Sequence, residues 1–143
     1  MRIVDDSDTY SWAIQQASAL RRHAAEELDW DGLAEELDAL GGSEENELYS
    51  RLVILLQHLL KWRFQANRRS RSWEASIAEQ RLRIARRLKK SPGLKPILPE
   101  AFTDAYIVAR LRALAETSLP DSGIPLSPPF ALEQALDPGW FPQ

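Results

Sequence analysis

The chain has 143 residues, two histidines and no cysteine. A domain of that length buries roughly 70% of its unfolded surface without a metal or disulfide staple, and the missing thiols exclude disulfides, thiolate nucleophiles, iron–sulfur clusters and cysteine-ligated zinc. The formal net charge of −3 names no polyanion partner, yet residues 1–50 hold 13 acids and 3 bases while residues 61–90 hold 11 bases and 2 acids.

Met1–Tyr10 carries Asp5, Asp6 and Asp8, unlike the basic start and apolar run of a secretory leader. The most apolar stretch, Leu52–Leu60, is too short to span a bilayer, so a cytoplasmic protein without membrane contact is expected. The first predicted helix runs from about Ser7 to Leu28. Tyr10, Ile14, Ala17, Leu20, Ala24 and Leu28 form its apolar stripe, and the aspartates suit the positive end of its dipole. A second helix covers about Asp31–Leu40, with Leu33, Leu37 and Leu40 as its buried face. Gly41-Gly42 ends it, and Ser43 caps a third helix.

That third helix, about Glu44–Gln65, has the clearest pattern. Leu48, Leu52, Leu55, Leu59 and Trp62 recur at 4-3-4-3 spacing, as in the central helix of a bundle. A polar linker, Ala66–Ser70, precedes a fourth helix capped by Ser72 and reaching about Lys90. Its inner line is Trp73, Ile77, Gln80, Ile84 and Leu88. Pro92, Pro96 and Pro99 allow at most one turn over Gly93–Leu98. A fifth helix, about Glu100–Glu116, turns Phe102, Ala105, Tyr106, Ala109 and Ala113 inward. Six of the nine prolines lie beyond residue 119. That tail is still apolar enough to wrap the bundle, with a short helix over Pro128–Leu136 capped by Ser127. The expected architecture is all-α: a single domain, 1–143, in which a bundle of about five helices (1–118) carries a packed proline-rich tail (119–143).

Several ordered motifs then stand out: Tyr10-Ser11-Trp12, Gln16-Ala17 and Leu20-Arg21, followed by Leu33-Ala34-Glu35-Glu36. Further on come His58-Leu59-Leu60-Lys61-Trp62, Ser72-Trp73 with Ile77, Gln80-Arg81, and Tyr106 with Ala109, Glu116 and Thr117. Over nearly the whole chain this series resembles the Domain of Unknown Function 29 family, common in cyanobacteria and proteobacteria. The resemblance implies a bacterial, all-helical protein with no established activity or catalytic residues. Gly32 stands where that family tends to carry Asn, and Pro128-Pro129-Phe130 where it often shows Cys-Pro-aromatic. A site at either position would be altered here.

No glycine-rich phosphate loop, G-x-S-x-G elbow or H-E-x-x-H occurs, and neither a cofactor nor a metal is expected. His58 flanks the inner stripe of the central helix, where an imidazole could serve as base or ligand. The plainer reading is a histidine hydrogen-bonded to a carboxylate of a neighbouring helix, with Glu36 as partner. A metal there would need further oxygens, with Asp29, Asp31 and Glu116 as candidates. Gln80 and Arg81 complete the expected polar network, because a buried amide is costly unless paired. Trp62 and Trp73 read as core or seam aromatics.

The basic run offers Arg68, Arg69, Arg71, Arg83, Arg86 and Arg87 as surface-binding candidates. Neutralisation by the acidic N-terminal half is favoured over a free nucleic-acid footprint, given a pI near 5.4. Three functions stay open. The first is a non-catalytic interaction or regulatory module, with a protein partner or self-association preferred to nucleic acid. The second is a nucleic-acid-associated protein using 61–90. The third is an enzyme or metal-dependent binder centred on Glu36 and His58.

Overall fold

Asp8 opens the first helix by accepting a 2.9 Å bond from the backbone N–H of Ser11, and that bond holds its carboxyl below the usual range. The structure, a computed structural model, describes residues 8–143. The expected helix start at Ser7 and the carboxylates of Asp5 and Asp6 lie outside the described residues. Five α-helices follow: α1 (Thr9–Arg21), α2 (Trp30–Phe64), α3 (Arg71–Lys90), α4 (Leu98–Ala115) and α5 (Leu132–Leu136), joined by short 3₁₀ turns. No strand occurs among the described residues, and the all-α expectation holds. The chain divides into two compact units, residues 1–44 and 45–143.

In the first unit α1 stops at Arg21, well short of the expected Leu28. The stop is a Schellman turn: the N–H of His23 bonds the carbonyl of Leu20, and that of Ala24 bonds the carbonyl of Ala19. His23 takes the left-handed conformation, φ 57°, normally filled by glycine. With no glycine to mark it, the end is hard to see in the sequence. The expected stripe is corrected as well. Tyr10, Ile14 and Leu20 are exposed, while Trp12, Gln16 and Ala19 are buried.

The expected second and third helices are one. α2 runs unbroken through Gly41-Gly42, so neither the glycine stop nor the Ser43 cap exists. Glycine in a helix interior costs about 1 kcal/mol against alanine. It ends a helix only where a positive φ is adopted, and no glycine here adopts one. Leu37 and Leu40, expected inside, are exposed.

The second unit is built on the C-terminal part of α2. Leu48, Leu52, Leu55 and Leu59 are all fully buried, as their spacing predicts. They meet Ile77 and Ile84 of α3 and the five expected inward residues of α4: Phe102, Ala105, Tyr106, Ala109 and Ala113. Ser70 rather than Ser72 caps α3, accepting from the N–H of Trp73. The tail lays Ile124, Phe130 and Ala135 into the same core. Its helix is only α5, starting after Ala131; Pro128 and Pro129 disfavour helical backbone at Ser127 and Pro128, which removes the expected start. The Ser127 cap therefore has no helix to serve.

Candidate functional site

In the first unit the polar side chains do the holding. Asp29 is 2% exposed and stands at the start of α2, where its carboxylate accepts from the backbone N–H of Gly32 at 3.0 Å. Its other oxygen accepts from the indole Nε1 of Trp12 at 2.9 Å. Gln16 closes the loop: its amide oxygen receives the N–H of Asp29 at 2.7 Å, and its amide nitrogen donates to the carbonyl of Glu27. Gly32 belongs to this arrangement, because a Cβ there would sit 2.3 Å from the Asp29 carboxylate oxygen. Gly32, singled out above as a departure, is thus what this pose of Asp29 requires. The only forewarning in the sequence is an aspartate three residues ahead of a glycine, a cap pattern.

Glu36 and His58 do not face each other from neighbouring helices, since both lie on the uninterrupted α2. His58 is half-buried, and its Nδ1 lies 2.9 Å from the carbonyl oxygen of Ile54, one turn back on its own helix. Glu36 is half-buried near the start of α2. Lys61, one turn beyond Gln57, donates to Glu116 at 2.7 Å. That bond, helped by Gln57 and the nearby His58, holds the Glu116 carboxyl below its usual range against partial burial. Lys61 also lies over the Trp73 ring, 4.9 Å from its centre. Among the described residues no group of three or more His, Asp or Glu side chains could hold a metal ion.

Arg81 is 5% exposed and bonded only to backbone. Its Nε donates to the carbonyl of Ala135 at 2.8 Å and its Nη2 to that of Trp140 at 2.7 Å, with longer bonds to Pro138 and Gln134. Burial lowers its pKa, and the Asp137 carboxylate opposes that shift. Arg110 donates to Ile124 and Asp121 in the same manner, and the Tyr106 hydroxyl donates to Pro125 at 2.6 Å. The tail needs such donors: prolines contribute carbonyls without N–H groups, and a guanidinium offers five donors in a fixed fork. Gln80 is buried, with its Oε1 unbonded. Arg81 thus clamps the tail, whereas Gln80, expected to bridge polar groups around it, leaves its amide oxygen without a partner.

The basic candidates divide into two groups. Arg83 pairs with Glu79 at 2.8 Å, Arg87 approaches Glu47 at 3.9 Å, and Arg69 donates to the carbonyl of Trp62 while stacking on its ring. The acids in these pairs come from the second unit itself. Arg68, Arg71 and Arg86 are exposed, with no carboxylate partner among the described residues. Elsewhere on α3, that helix and the tail enclose a groove of about 540 Å³ walled by Ala78, Leu82, Ala85, Leu136 and Phe141, with Glu74 and Arg81 also lining it. Leu82 continues into a depression of mixed charge, lined by Glu47 and Glu79 as well as Arg83, Arg86, Arg87 and Lys90. Sequence reading overlooked this groove, because Leu136 and Phe141 reach α3 only through the tail's path.

No helix among the described residues is long and apolar enough to cross a membrane. Neither a curated protein nor a solved structure matches the chain. One family model does, over residues 5–141: that of the family described as "Domain of unknown function DUF29".

Proposed function

Since the chain belongs to the DUF29 family, whose description assigns no function, we propose from its surface that it is a non-catalytic helical interaction module that binds protein partners. One observation carries this reading. The first unit leaves large apolar side chains in solvent, with Trp30 66%, Leu37 66% and Leu40 60% exposed on α2, and Tyr10 and Ile14 exposed on α1. Trp30, Leu33, Leu37 and Leu40 follow a 3-4-3 spacing, which puts them on one helix face. Contiguous exposed apolar surface of this kind marks a binding face more often than chance exposure, and helix-in-groove recognition uses such anchors. The setting proposed is the bacterial cytoplasm.

The test is a tagged pull-down from native extract, with and without nuclease, comparing the natural chain with a Leu37→Ser, Leu40→Ser variant. A protein captured regardless of nuclease and lost with the variant supports the reading. Undiminished capture by a folded variant, or substrate turnover that depends on His58, sinks it.

A second reading, binding of single-stranded nucleic acid, is favoured by the exposed Arg68 and Arg71, which flank the Trp62–Arg69 stack in the sequence. It requires affinity that falls steeply with salt and weakens when Arg68, Arg69 and Arg71 are all changed to Ala. Absence of binding at low ionic strength removes it.

A further inference from the structure

α2 is unbroken from Trp30 to Phe64, yet it holds two adjacent glycines, Gly41 and Gly42, close to where the chain divides into its two units. We propose that α2 carries a hinge at residues 41–43: the helix opens there and closes again, so that a bending joint connects the units. The inference goes beyond the interaction-module reading and does not depend on it.

Neither glycine has a task in the closed, unbroken helix. Glycine is required where φ is positive or where another group comes too near for a Cβ. No glycine here has a positive φ, and a Cβ on Gly41 or Gly42 would meet nothing within 4 Å. Gly32 on the same helix is the contrast, since a Cβ there would run into the Asp29 carboxylate. Side by side in a helix interior, the pair weakens α2 more than any residue but proline would, and glycine–serine neighbours are among the few places where helices bend sharply. Packing does not make up for it. No residue from 33 to 47 is buried; the stretch lies between the buried Gly32 and Leu48. A helix segment without a buried face is held by its own backbone bonds, and such segments open first. The neighbouring residues suit the open state. Once the helix parts at the glycines, either can take the left-handed conformation that ends a helix. Ser43 can then accept from the N–H groups of the next turn, and Glu44 and Glu45 fall at the positive end of the new dipole. The closed helix uses neither the stop nor the cap. Both signals belong to a second state of the same segment.

The test is a distance measured along α2, together with hydrogen exchange, on the full chain. The chain has no cysteine, so Glu35→Cys with Ser50→Cys, both at exposed positions, takes two spin labels and no others. In the closed helix the two backbones lie about 22 Å apart. The labelled chain, diluted with unlabelled chain, is expected to show this distance and a second, broader population. Adding Gly41→Ala and Gly42→Ala, which the open space at both positions accommodates, is expected to remove the second population. In the natural chain, amides of residues 41–46 are expected to exchange about tenfold or more faster than those of 52–60. The two alanines are expected to close most of that gap, each accounting for about fivefold, while residues 52–60 stay within about twofold. A single narrow distance in the chain that keeps its glycines overturns the proposal, as does a second population untouched by the alanines. Equal protection of the two stretches in the natural chain overturns it as well. So does protection that rises equally over residues 41–60 in the alanine variant, because α2 would then melt as one piece.

Discussion

The two units of this chain invert each other. In residues 45–143 the apolar periodicity points inward, so that Leu48, Leu52, Leu55 and Leu59 are core and the polar side chains tie down the edges. In residues 1–44 the best apolar stripe points outward, and the interior is a polar linkage of Trp12, Gln16 and Asp29. A helix pair of that size has too little interior to enclose its leucines. Directional bonds to a capping carboxylate then fix the geometry, and apolar residues become free for another surface. Hydrophobic spacing therefore reports burial only where enough chain exists to bury it.

The comparison can be broken most forcefully in the second unit. Leu55→Ala or Leu59→Ala should cost about 2–5 kcal/mol, the range for deleting a buried leucine side chain. A denaturant melt showing less than about 1 kcal/mol would mean that the seam is not the core. The tail contact gives a second, pH-dependent handle. Burial raises the Tyr106 hydroxyl from 10.0 to about 12, partly offset by Arg110. The folded chain therefore holds that proton more tightly than the unfolded one. The associated stability is complete below pH 10 and lost as the pH rises toward 12, at most about 2–3 kcal/mol. Tyr106→Phe should flatten this alkaline slope relative to the natural chain, and identical slopes would place the phenol in water.

The first unit should respond on a smaller scale. Asp29→Ala removes a helix cap and the acceptor that Asp29 offers the Trp12 indole, at about 1–2 kcal/mol. Hydrogen exchange should show the loss of protection concentrated in α1 and the first turns of α2. Loss spread evenly through α3 and α4 would contradict a locally held unit. The smallest effect has the opposite sign. His23→Gly relieves a left-handed residue and should stabilise α1 by about 1 kcal/mol; a destabilised variant would show that the imidazole makes up for its backbone.

Legibility in the sequence followed the same division. The inward faces of the central helix, α3 and α4 were readable because buried leucine, isoleucine and alanine recur with the helical period. The α1 stop was not, because His23 occupies a glycine position. Gly41-Gly42 misled for the converse reason, being glycines that take ordinary helical angles. Of the expected polar network, Arg81 and Gln80 are indeed buried. Their partners were invisible, however, since Arg81 is served by backbone carbonyls that no residue pattern identifies. The pairing of Glu36 with His58 depended on a helix break that the structure does not contain.

Arg81 also gives the chain a sense of its own completeness. The guanidinium lies in α3, and its shortest bond is to the carbonyl of Trp140, 59 residues later. Until the residues around 134–140 are in place, the guanidinium has only water to bond, so its burial and its carbonyl bonds come together when the tail closes over it. A chain cut short of residue 134 has no route to the same resting state and stays open to proteases, whereas the finished one locks its last segment with a single side chain.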